Sequence, residues 1–294
     1  GGNGIIYYYA NGKRYSHNGT EDVGDGPFGD VERATNFGVR KEGIYRGLGS
    51  YRSIGRNDLT EPLFDFGFAQ FASILANEEV RSHYNSRSVL MADNDYIVVF
   101  DDVASSEVEG CFSWFVGIND EFPFIKQLTP GCKGTKVDVV HSSSPYHKDK
   151  STPETKGMRF EGKGDFLTFV SHRLDLNVQY NDNVCLVNHP GGQKDWVFRS
   201  GSPILYNKNG VKFDGTSGFI RKKSKEHYQA ALFNGKQISV PGITIMLDDK
   251  YCNNGVSLEV VDGKYRGKIQ LIRPALLKMV LDEELDASYG FYLN

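Results

Sequence analysis

The chain has 294 residues, enough for one large β domain or two ordinary ones, and 34 Lys and Arg against 37 Asp and Glu give a formal net charge of -3. That balance has neither the cationic excess of a nucleic-acid binder nor the extreme charge of a disordered chain, so no nucleic-acid partner is expected. No run of about eighteen apolar residues is present to span a bilayer, so no membrane partner is expected either, and 16 Tyr, 19 Phe and 33 Gly suit strands joined by tight turns.

The chain opens on Gly1-Gly2-Asn3-Gly4, without Met and without a basic-then-apolar signal, as a processed form or a piece of a longer protein would. Strand patterns begin at residues 5–9 and recur at 68–75, 88–91, 96–100, 110–116, 135–140, 166–170 and 174–180. They continue at 195–199, 203–206, 218–221, 229–233, 243–247, 257–261 and 267–272. Such short strands at near-regular spacing predict an all-β fold, a large antiparallel two-sheet β-sandwich spanning 1–294 as one domain. Alternation within the strongest strands places Val89, Met91, Ile97, Val99, Phe169, Ile220, Leu232 and Ile245 in its core.

Turn chemistry supports hairpins at Asn11-Gly12, Asn209-Gly210, Asn234-Gly235, Asn254-Gly255 and Asp262-Gly263, with a further short loop at residues 92–95. Residues 275–287 follow Pro274 and read as two strands about a turn at 282–284. Residues 141–158 are rich in Ser, Pro, Lys and Thr without apolar periodicity, which predicts a surface loop separating halves at 1–140 and 159–294. The four cysteines, Cys111, Cys132, Cys185 and Cys252, form no C-x-x-C pair and are expected as buried free thiols.

Three segments carry a family resemblance. Arg87-Ser88-Val89-Leu90-Met91, followed by residues 95–103 (DYIVVFDDV), resembles the hairpin in the C-terminal β-sandwich of heparinase II/III-like polysaccharide lyases. Residues 213–221 (FDGTSGFIR), with 230–238 and 242–245, are similar to that sandwich's late strands, and residues 164–170 to its middle strands. The resemblance covers roughly residues 64–272 and implies a supersandwich-like fold, secretion or a periplasmic location, and an acidic polysaccharide or oligosaccharide as partner. In that family a helical toroid supplies most catalytic groups. No helical run here forms one, so the resemblance implies β-elimination next to a uronic acid only with a toroid domain as partner, or else a non-catalytic carbohydrate-binding or structural sandwich.

That elimination needs the uronate neutralised, a proton removed by Tyr or His, and the leaving oxygen protonated. Tyr15-Ser16-His17-Asn18 resembles the His-Asn at the mouth of the family's sandwich, which makes Tyr15 and His17 candidate catalytic residues and His17 a candidate ligand of a structural zinc. An ordinary loop histidine is the other reading. Asp22, Asp25 and Asp30 in the acidic stretch 20–30 offer oxygens to calcium but lack the register of a calcium loop, and a solvated loop is the favoured reading. Residues 43–56 interleave Tyr45, Arg46, Tyr51, Arg52 and Arg56 with glycines, a composition suited to stacking on sugar rings and pairing with carboxylates, or to an exposed ribbon. Alternation across His83-Tyr84-Asn85-Ser86-Arg87 puts Tyr84 and Arg87 on opposite faces, with Arg87 a structural anchor.

Overall fold

The computed structural model describes residues 4, 6–17, 28–32, 34–48, 60–78, 80–140, 153–248 and 254–281. The chain is all-β, with antiparallel sheets in a sandwich-like arrangement. Its two compact units are residues 1–180 and 181–294. The boundary between these units falls at residues 180–181, not in the stretch 141–158. Part of the expected loop is strand, because residues from Pro153 onward complete a long ladder. The helices among the described residues are 3-10 turns, Gly29–Val31 and Pro190–Gly192, and none is long and apolar enough to cross a membrane.

The first unit begins with a ribbon of β1 (Tyr9–Ala10) and β2 (Lys13–Arg14), closed by Asn11-Gly12 with φ of 50° and 73° at its two turn residues. Only residues that tolerate the left-handed region fit such a turn, which is why the Asn-Gly signal succeeds here. The strands that follow are β3 (Asn36–Lys41), β4 (Ile44–Arg46), β5 (Thr60–Asp65), β6 (Ala69–Leu75), β7 (Tyr84–Ala92), β8 (Tyr96–Val103) and β9 (Glu109–Gly117). β10 (Phe124–Gln127), β11 (Lys133–Val140), β12 (Pro153–Lys163), β13 (Phe166–Ser171) and β14 (Asn177–Asn181) complete the run to the boundary. One sheet is ordered β10-β13-β8-β7-β6-β5 and the other β11-β12-β9-β3-β4. Their inner faces share one core: Ile97, Val99 and Val170 of the first meet Phe37, Phe112, Trp114 and Phe160 of the second. Val89 and Met91 pack against it.

A bulge changes one expectation. Tyr84 pairs with Val103 and Ser86 with Asp102, leaving Asn85 as an extra residue in β7. One inserted residue reverses the side-chain parity, so Tyr84 and Arg87 meet on the same buried Asp101. Arg87 Nε and Nη2 donate to its two carboxylate oxygens at 2.6 and 3.0 Å, and the Tyr84 hydroxyl donates to Oδ1. Arg87 anchors the hairpin, as expected, by pairing directly across the strands.

The second unit contains β15 (Val184–Asn188), β16 (Lys194–Lys208), β17 (Val211–Lys222), β18 (His227–Val240), β19 (Ile243–Asp248), β20 (Gly255–Val261), β21 (Lys264–Gln270) and β22 (Leu276–Leu281). Its sheet runs β15-β16-β17-β18-β19-β22, with β20 and β21 branching from β18. The branch is possible because the long strands change register: β16 and β17 shift between Arg199 and Ile204, and β17 and β18 shift around Gly215 and Ser217. β18 then pairs β20 through residues 227–232 and β19 through residues 237–240. Side chains from both halves form one core, with Phe198 stacked on Phe213 at 4.1 Å and Trp196 Nε1 donating to the Tyr206 hydroxyl at 3.2 Å.

Two of the expected turns are not hairpins. Asn234-Gly235 lies inside β18, where a Cβ on Gly235 would stand 2.7 Å from the Gly215 Cα, so the glycine permits a close approach of two backbones and makes no hairpin. Asn254 caps an irregular segment: its side chain bonds the main chain of Ile272 and Arg273. Asn209-Gly210 and Asp262-Gly263 are turns as expected, both residues of each having positive φ. Strand β22 occupies the first part of the expected 275–287 pair, and residues 282–287 lie outside the described residues.

Candidate functional site

The run Tyr7-Tyr8-Tyr9 is extended, so its side chains alternate. Tyr7 and Tyr9 are exposed and Tyr8 is buried. The β1–β2 ribbon continues past its strands, with Tyr15 N donating to Tyr8 O at 2.9 Å and Tyr8 N to Ser16 Oγ at 2.6 Å. This sets the Tyr8 and Tyr15 rings side by side, centroids 5.8 Å apart. Trp114 on β9 fixes the ribbon from beneath, its Nε1 donating to Tyr15 O at 2.7 Å.

His172, just after β13, meets both rings, at 6.2 Å from Tyr8 and 6.0 Å from Tyr15. The Tyr8 hydroxyl and His172 Nδ1 are hydrogen-bonded at 2.8 Å, and the His172 main-chain N–H donates to the same hydroxyl oxygen at 3.2 Å. Two neutral arrangements fit: Tyr8 donates to Nδ1 and the ring proton sits on Nε2, or Nδ1–H donates to Tyr8 and Nε2 carries a bare lone pair. In either, Nε2 of this partly exposed ring makes no hydrogen bond among the described residues.

Burial is the main cause of both pKa displacements: it pushes the Tyr8 phenol up and the His172 imidazole down from 6.5. Tyr8 stays protonated and His172 neutral near pH 7, an acid and a base in contact. The Tyr15 hydroxyl donates to Glu121 Oε2 at 3.4 Å. Glu121 in turn pairs with Lys13, whose hydrogen bond holds the Glu121 carboxyl below its ordinary range. Arg173 lies next to His172 but is committed to Asp95 at 2.7 Å and Asp175 at 2.8 Å, so it is not the carboxylate clamp of this cluster.

Of the residues expected to act, Tyr15 joins the cluster. His17 follows on the same ribbon, held by its main chain: its N–H donates to Phe115 O at 2.7 Å, and its carbonyl accepts from Thr35 Oγ1 at 3.2 Å. Zinc and calcium gain no support, since no group of three or more His, Cys, Asp or Glu among the described residues could hold an ion. Asp30 binds the Gly47 N–H at 2.7 Å, while Asp22 and Asp25 lie outside the described residues.

Tyr45, expected on a sugar-contacting surface, is buried beneath Phe28, rings stacked at 5.9 Å, and its hydroxyl donates to Glu161 Oε1 at 2.9 Å. The cause is the turn at Glu42-Gly43, which returns the chain as β4 and directs Tyr45 inward. Burial, then the Glu161 carboxylate, drives its pKa well up. Arg46 is half-buried beside it. Tyr51, Arg52 and Arg56 lie outside the described residues.

Tyr8 and His172 were missed. The alternating tyrosine run was the available signal for Tyr8; His172 stands 164 residues away and carries none. No family model matches this chain, and no curated protein matches it.

Proposed function

We propose that this chain is the β-sandwich part of a polysaccharide lyase-like protein that acts on uronic-acid-containing polysaccharide by β-elimination, with Tyr8 and His172 handling the proton. The observation that carries this reading is the 2.8 Å Tyr8–His172 hydrogen bond between a phenol kept protonated and an imidazole kept neutral. Elimination requires a base for the proton beside the carboxylate and an acid for the leaving oxygen, and this pair offers both within one contact. Tyr15 positions the pair from the side through its ring contacts. Carboxylate neutralisation is assigned to groups beyond this cluster, because Arg173 is already paired. The chain alone therefore releases little unsaturated product.

The test is an NMR titration of the chain with uronate oligosaccharides from heparan sulfate and alginate. The His172 ring should titrate with a midpoint below 6.5 in the free protein, and its resonances should move on adding oligosaccharide. A midpoint at or above 6.5, or His172 resonances indifferent to every uronate oligosaccharide, sinks the assignment.

A further inference from the structure

The connection from β17 to β18 reads Lys222-Lys223-Ser224-Lys225-Glu226-His227. Register places Lys194 of β16 directly opposite Lys222. The turn between β20 and β21 lies against this connection, Asp262 N donating to Glu226 O at 3.2 Å, and Lys264 follows it. One end of the second unit's sheet thus gathers Lys194, Lys222, Lys223, Lys225 and Lys264.

The carboxylates of this end do not offset them. Asp195 is taken by Arg221 at 2.8 Å and His189 at 2.8 Å. Glu259 is taken by Gln229 at 2.7 Å, His227 at 3.1 Å and Arg266. Among the described residues of this end only Glu226 and Asp262 remain, so five lysines face two carboxylates and leave an excess of three positive charges. None of the five lysines forms an ion pair among the described residues.

Like charges directly opposite across a strand pair repel. Lys194 and Lys222 are nevertheless held there, their ammonium groups 5.2 Å from the Trp196 ring centroid and 5.6 Å from that of Tyr228. The aromatic faces keep the two charges at the rim of the core while the stems cover apolar surface. An anion bound there relieves the repulsion. From β16 to β21 through β17, β18 and β20 there are four strand spacings, about 19 Å at about 4.8 Å each, so the charges form a row. Lysines are compact, rotatable point charges, suited to carboxylates or sulfates spaced along a chain more than to one planar group held bidentately.

We propose that this end of the second unit is an anchoring surface for a linear acidic polysaccharide, carried by residues separate from the Tyr8–His172 pair. It rests on the proposed function only for the choice of polysaccharide as the polyanion. The test is calorimetric titration of the whole chain with alginate and heparan sulfate oligosaccharides, a neutral oligosaccharide of equal length, and duplex DNA of equal charge. Wild type should bind the acidic sugars, lose affinity as salt rises and ignore the neutral sugar. The variant Lys223→Glu/Lys225→Glu/Lys264→Glu should bind at least about tenfold more weakly and respond less to salt, with Trp196 fluorescence unchanged. Equal binding by the variant, affinity indifferent to salt, or DNA bound as tightly as the sugars overturns the proposal. Lysine-dependent binding with His172 resonances silent leaves this surface standing while the proton-handling assignment falls; His172 shifts that survive in a variant binding as tightly as wild type do the reverse.

Discussion

Asp101→Ala should be among the most damaging single changes in the first unit. The Arg87 and Asp101 side chains are 2% and 0% exposed, so removing the carboxylate leaves a guanidinium away from water with no counter-ion. Loss of one partner from such a pair costs about 3–5 kcal/mol. Tyr84→Phe is milder, about 1.5–3 kcal/mol, because Asp101 retains both Arg87 bonds, at 2.6 and 3.0 Å. Arg87→Met/Asp101→Leu, which removes both charges, should recover more than half of the Asp101→Ala loss. Urea unfolding reads this directly, because the chain has 2 Trp, Trp114 in the first unit and Trp196 in the second. In a Trp196→Phe background Trp114 reports the first unit alone. With a urea slope of about 1–3 kcal/mol per molar, the Asp101→Ala midpoint should fall by at least about 1 M. A smaller shift than that of Tyr84→Phe, or a double variant no better than Asp101→Ala, refutes the account of this pair.

Two further outcomes concern the second unit, followed by Trp196 in a Trp114→Phe background. Gly218→Ala would place a Cβ 2.3 Å from Phe213 Cε2, and Phe213 is pinned by its stack on Phe198, so overpacking should cost about 1–3 kcal/mol; an unchanged urea midpoint contradicts this. Burial alone would raise the Asp195 pKa, but hydrogen bonds from His189 and Arg221 outweigh it and hold the value below 3.8. Because the folded value is depressed, this stabilisation is present above pH 3.8 and is lost as pH falls through the folded value. Asp195→Asn should be weaker than wild type at about pH 5 and should lose less on acidification to about pH 3. Parallel pH curves for the two proteins would show that Asp195 is not the titrating group.

Strand existence was legible because period-two alternation survives wherever one face meets a core, as at Ile97 and Val99 of β8 or Ile243 and Ile245 of β19. β12 was hidden by its composition: Thr155, Lys156 and Gly157 read as loop, yet they pair Gly117, Val116 and Phe115 of β9, a fact of distant sequence. Asn-Gly turns were readable where both residues need positive φ and misleading at Asn234-Gly235, where glycine serves backbone proximity. Tyr84 and Arg87 were assigned to opposite faces because the Asn85 bulge is visible only against the partner strand. The candidate site was half-visible for the same reason. Tyr15 has a local signature, whereas His172 becomes meaningful only once the ribbon and the end of β13 are adjacent.

Strands β16, β17 and β18 each serve both halves of the second unit, changing register where they pass from one to the other. Such a sheet joins its two halves through continuous strands. Lifting the β20–β21 hairpin strips partners from the first part of β18, and the same unbroken backbone carries the partners of β19, on which β22 rests in turn. The branched half and the straight half therefore share the backbone of β18, so an event that unravels that strand takes partners from both.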